Sequence, residues 1–195
     1  MTFDVRVLEA GEISRHLRDL ARLRIEVFRE WPYLYDGDAA YERDYLMHFA
    51  QAPDALLVAA FEDGAIVGMA TASPMSAQSA EIRQPVDAAG LDSARIFYFG
   101  ESVLLARHRG HGIGHAFFDH REAGARAAGA EATMFCAVLR SNDHPLRPAD
   151  APNLHGFWTR RGYAEVPGVT CHMSWRDVGA PDASDHELQF WSRKL

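Results

Sequence analysis

Apolar residues recur along the chain at two spacings, and the switch from one to the other marks its elements. Phe3, Val5 and Val7 alternate with polar neighbours, which predicts a short first strand over 3–7. From residue 12 to about 30, Ile13, Leu17, Leu20, Ala21 and Phe28 fall on one helical face. Trp31-Pro32 ends that helix, because proline disfavours helical backbone in the residue before it. Asp36-Gly37-Asp38 reads as a loop and Ala39–Gln51 as a second helix. Residues 55–61 are apolar almost throughout, as in a strand buried on both faces. Glu62-Asp63-Gly64 is a tight-turn signal, and 65–71 returns as the hairpin partner.

The second half is read the same way. Residues 73–93 mix polar positions with Pro74, Pro85 and Gly90, and predict a loop with at most a short helix. Residues 94–105 form the next strand, and 107–112 a basic, glycine-rich turn. A helix then runs to about Ala128, with Gly129 in the usual stop position. Residues 132–139 predict a buried strand, 141–152 a loop, 153–161 a short helix and 169–175 a strand. A polar linker over 177–185 leads to Leu188-Gln189-Phe190-Trp191. The order β α α β β β α β α β implies one α/β domain over 1–176, mostly antiparallel at its start, with a strand–helix–strand unit at its centre. Residues 177–195 read as a tail whose apolar end adds an edge strand, within the chain or against a second copy in a homodimer.

Composition narrows the partners. The chain has 195 residues, 48% hydrophobic and 24% charged, enough for a core of its own. Its net charge of -7 argues against a broad nucleic-acid or anionic-membrane surface. Lys194 is the one lysine, so the other cations are arginines, and any bound anion must be held by locally placed charge. The first residues lack the basic start and apolar stretch of a signal peptide, and no apolar run reaches the ~20 residues that cross a bilayer. The expectation is therefore a cytoplasmic protein, with Cys136 and Cys171 as reduced, buried thiols.

The chemistry concentrates in Val103-Leu104-Leu105-Ala106-Arg107-His108-Arg109-Gly110-His111-Gly112-Ile113-Gly114. A strand runs into alternate glycines and then into a helix. Glycine lets backbone approach a ligand closely, and a helix start presents unpaired N–H groups with about half a positive charge. Together they suit a pyrophosphate. A Walker A loop is excluded, since Gly-Lys-Ser/Thr is missing. A dinucleotide fingerprint fits poorly, with His115 where its third glycine belongs and the segment in mid-chain. Glycines serving only tight packing are a further reading. His111 and His115 have the i, i+4 spacing of a metal pair, but no third ligand is evident and no metal is expected.

Arg109 to Gly114 follows the pattern Arg/Gln-x-x-Gly-x-Gly/Ala, and in this the chain resembles the GNAT superfamily of N-acetyltransferases over about residues 3 to 175. The resemblance implies the GNAT acyl-CoA N-acyltransferase fold, a mixed central sheet with helices on both faces. It implies acetyl-CoA as cofactor. The backbone of Arg109, Gly110, His111, Gly112, Ile113 and Gly114 would hold its pyrophosphate, and that of Val103, Leu104 and Leu105 its pantetheine arm. Family members often carry a glutamate eight residues before the motif arginine; here that is Glu101, the expected general base. The family's Tyr-x-x-x-Gly-Phe run is matched by Trp158-Thr159-Arg160-Arg161-Gly162-Tyr163. Trp158 stands in the tyrosine position, where an indole can pack beside cofactor but cannot protonate a thiolate. His144, Cys136, Ser102 and solvent remain open as the proton donor, and Asn142 is a candidate cofactor contact.

In that superfamily the first two helices and their loop wall the acceptor site. Here Trp31, Tyr33 and Tyr35 are the substrate-binding candidates, in a stretch where aromatics interleave with Glu26, Glu30, Asp36, Asp38, Glu42 and Asp44. That mixture suits a cationic, partly apolar amine, on a small molecule or a peptide; aromatics that only pack the two helices together are the alternative. The implied activity is direct acetyl transfer to an amine. A non-catalytic acyl-CoA-binding or sensing module, or transfer of another acyl group, is the alternative.

Overall fold

The computed structural model describes residues 2–151 and 153–195; Met1 and Pro152, the last residue of the expected 141–152 loop, lie outside them. The strands are β1 (Asp4–Val7), β2 (Leu56–Glu62), β3 (Ala65–Pro74), β4 (Ile96–Leu104), β5 (Ala132–Val138), β6 (Ala164–Arg176) and β7 (Ala183–Lys194). The helices are α1 (Ala10–Phe28), α2 (Ala39–Gln51), α3 (Ala80–Ala88), α4 (Ile113–Ala127) and α5 (His155–Arg160). The strands form one sheet in the order β1-β2-β3-β4-β5-β7-β6. Only β4 and β5 pair in parallel, joined through α4 as the strand–helix–strand pattern predicts.

Local signals explain the helix limits. Glu9 and Glu12 form a capping box at the start of α1, and Asp38 accepts from the N–H groups of Ala40 and Tyr41 at the start of α2. Ile13, Leu20, Ala21 and Leu23 of α1 are buried against Leu57, Val58 and Met69 of the sheet. Burying one such leucine contributes roughly 1.5–3 kcal/mol. On the opposite face, Phe118 and Ala125 of α4 pack with Phe97, Phe99, Phe135, Tyr163 and Trp191. Helices therefore cover both faces of a mixed sheet.

The short helix allowed for within 73–93 is α3, which keeps Pro85 inside it while Ile82 and Val86 pack on the sheet. Two expectations need correction. Strand β6 starts at Ala164, not at residue 169, because its pairing shift between Glu165 and Thr170 absorbs Pro167 and Gly168. Most consequentially, 177–195 is not a tail with an added edge strand. β7 lies inside the sheet, paired with β5 on one side and β6 on the other, and Leu188, Phe190 and Trp191 are buried. No helix among the described residues is long and apolar enough to cross a membrane.

Candidate active site

The cleft begins where β4 and β5 part. They pair only from Ile96 to Tyr98 against Ala132 to Met134. Beyond that point β5 continues against β7, and β4 keeps only β3. Of the three residues expected to offer backbone groups there, Leu105 is already committed. Its N–H bonds Val67 O at 3.1 Å, and its carbonyl accepts from His108 N at 2.9 Å. Alternation along an antiparallel strand turns the Val103 groups toward β3 as well, and those of Leu104 and Ser102 toward the open side. Ser102 and Leu104, rather than Val103 and Leu105, thus carry the free polar groups of the cleft edge.

The glycine turn follows directly. Gly110 and Gly112 both have φ +83°, and a Cβ on either would meet nothing within 4 Å. Glycine is needed there for conformation, and the space above the turn stays clear. Among the described residues no backbone carbonyl pairs with the N–H groups of Gly110, His111 or Gly112, and Gly112 caps α4 without a side-chain bond. Ile113 is buried as an anchor, and Gly114 lies against Phe157. These free donors at a helix start fit a pyrophosphate. Of the basic residues that crowd the turn and early helix in the sequence, from Arg107 to Arg121, not all reach this space. His108 is buried on Glu62 at 2.9 Å, and Arg121 points into the core. Arg109 is exposed and bonds Glu30 at 2.7 Å.

Trp158 packs on Phe135, Trp191 and His155, with ring centroids 5.0, 5.1 and 5.6 Å away. Tyr163 is fully buried, its hydroxyl bonded to Thr133 and Glu122. Asn142 is exposed in the loop after β5, where its carbonyl accepts from Arg147. Of the open proton donors, Cys136 is buried beside the Tyr98 hydroxyl at 2.9 Å, while His144 lies against Trp31 with the rings tilted by 52°.

Glu101 reaches the other side of the sheet through an irregularity. The β3–β4 register skips between Ala70 and Ala72, leaving Gly100 and Glu101 opposite Thr71 alone. The extra residue switches the side-chain alternation. Phe97 and Phe99 face α4 and α5, whereas Glu101, two positions on, meets Arg24 of α1 and Tyr45 of α2. Thr71 Oγ1 accepts from Glu101 N at 3.1 Å, and a Cβ on Gly100 would lie 2.5 Å from the same oxygen. The bulge therefore requires glycine at position 100.

Glu101 is 9% exposed and Glu42 fully buried, and Arg24 forms an ion pair with each. Tyr45 donates to Glu101 Oε2 at 3.1 Å. Burial pulls the Arg24 pKa down, but Glu101 and its neighbours outweigh it and hold the guanidinium above its ordinary value. Burial, with Glu101 nearby, pushes the Tyr45 hydroxyl well up; Tyr33 is raised by burial, with Cys136 and Glu101 adding to it. Two carboxylates thus share one guanidinium, and excess negative charge lies beneath Tyr33 and Tyr45. The sequence reading missed Arg24. Its signal is position: 17, 20, 24 and 28 lie on the apolar face of α1.

The loop with Trp31, Tyr33 and Tyr35 is stitched to the β6–β7 connection. Tyr35 bridges Asp177, and Val178 N bonds Leu34 O at 2.7 Å. Arg140, just past β5, grips Asp177 with two bonds of 2.8 Å and donates to the carbonyls of Pro32 and Tyr33. Trp175 donates to Tyr33 O and to Asp177, each at 3.1 Å. Tyr33 is thereby held by backbone and arginine contacts as well as by its ring, whereas Trp31 is placed by its ring against His144.

Solved structures share this architecture. An aminoglycoside 6'-N-acetyltransferase complexed with coenzyme A superposes with a TM-score of 0.62 at 14% identity, covering 98% of this chain and 96% of that one. A ribosomal-protein-alanine N-acetyltransferase from Brucella melitensis gives 0.63 at 13% identity, covering 98% and 99%. A GNAT-family acetyltransferase from Streptococcus pneumoniae gives 0.60 at 13% identity over 100% of both chains. At such identities the likeness shows the fold. No curated protein matches the sequence. The description of the acetyltransferase (GNAT) family matches residues 19–148, more than half of the chain, so the protein belongs to the GNAT acetyltransferases, a family of acyl transfer from coenzyme A.

Proposed function

We propose that the protein is an acetyl-CoA-dependent N-acetyltransferase that acetylates a cationic, partly apolar amine directly from the thioester. The observation that carries this reading is the arrangement around β4. A free-edged cleft with an N–H-rich glycine turn runs along it, and Glu101 stands beside the cleft on the side of α1 and α2. Bound coenzyme A would supply the activated acetyl group. The N–H groups from Gly110 to Gly114 would hold its pyrophosphate, with Arg109 leaving Glu30 to meet the phosphates. The free backbone groups of Ser102 and Leu104 would orient the thioester arm and polarise its carbonyl.

Glu101 is the proposed proton acceptor, reached through the Tyr45 hydroxyl. An ammonium must lose a proton before its nitrogen can attack, and Tyr45 can take that proton while passing its own to Glu101. Arg24 anchors the carboxylate without occupying the oxygen that Tyr45 uses. The negative charge left by Glu42 and Glu101 over Arg24, with Tyr33 and Tyr35 close to it, favours a cation.

Thiol release from acetyl-CoA over a panel of amines tests this, with longer acyl-CoAs as competitors. Glu101→Gln and Tyr45→Phe should each lower kcat, Glu101→Gln by about 100-fold or more. If Glu101→Gln leaves turnover unchanged at every pH, the proton-acceptor assignment is wrong. If acetyl-CoA produces no thermal shift, the cofactor reading fails. A shift without thiol release for any amine would identify a binding or sensing module instead.

A further inference from the structure

We propose that Arg121 is a positioning residue for this reaction. From the face of the sheet opposite the acceptor, it holds the bulge that places Glu101 on the acceptor side. The inference rests on the reading of Glu101 given above.

Arg121 lies on α4 between Phe117 and Ala125, on the buried face of the helix, and is 1% exposed. Among the described residues it forms no ion pair, and its hydrogen bonds go only to backbone carbonyls. Nε donates to Phe117 O at 3.2 Å. Nη1 donates to both Thr71 O and Glu101 O, each at 3.3 Å. Nη2 has no partner. The guanidinium is sandwiched near Phe99 and Phe118, 4.3 and 4.8 Å from their ring centres. Burial pulls its pKa down to about 10, so it remains charged at neutral pH.

A buried cation without a counter-ion is a costly way to fill space, and an apolar side chain of similar size would pack there more cheaply. What arginine adds is specific. Thr71 and Glu101 are residues that the bulge removes from the β3–β4 register. Their carbonyls are left over in the interior, and one guanidinium nitrogen serves both. Without that bond the backbone of the irregular segment keeps only the Thr71 contact. A one-residue slip would restore alternation and turn position 101 toward Phe99 and Phe118, away from Arg24 and Tyr45. Thr71 holds the same bulge through Glu101 N, so the two contacts clamp both backbone groups of Glu101.

The test uses the full chain with Arg121→Met and Arg121→Lys. In folded Arg121→Met, the Glu101 amide should exchange about 10-fold faster by NMR, as its hydrogen bond is loosened. Turnover should fall by about 100-fold, the cost of a small misplacement of a reacting group. Acetyl-CoA should still bind, since the glycine turn that would hold its pyrophosphate is untouched, with a loss of affinity well below the loss of turnover. Arg121→Lys, whose ammonium can still reach a carbonyl, should recover about 10-fold of the loss. A residue that only packs would lower the unfolding midpoint and leave both exchange and turnover per folded molecule alone. Wild-type turnover, or wild-type exchange at Glu101, in folded Arg121→Met overturns the proposal. If Arg121→Met does not fold, Arg121→Lys decides: reduced turnover with intact acetyl-CoA binding supports it, and wild-type turnover overturns it. Failure of the Glu101 reading looks different. Glu101→Gln would then turn over normally, and the positioning role would fall, while exchange in Arg121→Met still quickened.

Discussion

Adding one methyl group at position 100 puts the bulge under direct strain. In Gly100→Ala the new Cβ would lie 2.5 Å from Thr71 Oγ1, well inside contact distance. Thr71 is fully buried and its oxygen accepts from Glu101 N, so turning it aside strands that N–H. A stranded buried N–H costs about 1–3 kcal/mol, and overpacking about the same again. Replacing glycine returns about 0.4–1 kcal/mol through the unfolded chain. The net destabilisation should be about 3 kcal/mol. Thr71→Ala removes the obstructing oxygen and by itself costs about 1–3 kcal/mol. In that background the added methyl meets only Thr71 Cβ, at an ordinary 3.8 Å, so Gly100→Ala should be close to neutral. Urea unfolding of the four proteins closes the cycle, with an expected coupling of about 2–3 kcal/mol. With a urea slope of about 2 kcal/mol/M, Gly100→Ala alone should lower the midpoint by roughly 1.5 M. If Gly100→Ala costs the same with and without the Thr71 hydroxyl, the bulge is not built as described.

Two further substitutions report on other parts. Gly112→Ala forces an L-residue to φ +83° and should lower the melting temperature and weaken acetyl-CoA binding, whereas Gly114→Ala, whose Cβ meets Phe157 at 3.7 Å, should be tolerated; equal effects by thermal shift would refute the distinction. Glu12 is held down to about pH 2, first by its bond to Arg6 and then by the Glu9 N–H. Because the folded value lies below the unfolded one, its contribution is complete above about pH 4.5 and fades as the pH falls through 2. Glu12→Gln should flatten that part of the acid stability curve, and an unchanged acid limb would contradict the pairing.

The sequence carried the elements whose signals are local. The amphipathic face of α1, the glycine turn before α4 and the strand on either side of the Glu62-Asp63-Gly64 turn all lie where periodicity and turn chemistry place them. The failures are of a different kind. Pro167-Gly168 reads as a strand end, yet long-range pairing with β7 carries β6 through it as a bulge. The position of β7 between β5 and β6 depends on pairings far apart in sequence, which periodicity does not contain.

The site divides along the same line. The proposed cofactor half is a contiguous motif, so its residues stand out in the sequence. The proposed acceptor half draws on α1, α2, β4 and the loop before α2, and of it only Glu101 and the aromatics stand out. Strict alternation would have put Glu101 on the same face as Phe97 and Phe99. Gly100 was the one hint that alternation breaks there. Arg24 was invisible as a functional residue because arginine on an apolar stripe looks like a surface residue at the edge of its helix. Arg121 stands out in the sequence only as one of the basic residues crowding the turn and early helix, a pattern that suggests a landing patch for phosphates and not a buried support of the sheet.

The place of β7 has a consequence for the order in which the domain can be built. A chain emerging from the ribosome presents β5 and β6 before β7 exists, yet until β7 slides between them β5 has only its short pairing with β4 and β6 has no strand partner. During that interval β5 is an open edge with Phe135 and Cys136 uncovered, free to pair wrongly with β6 or with another nascent chain. The newborn protein should therefore need shelter late rather than early in its synthesis, and its first half should become protease-resistant before the second half does.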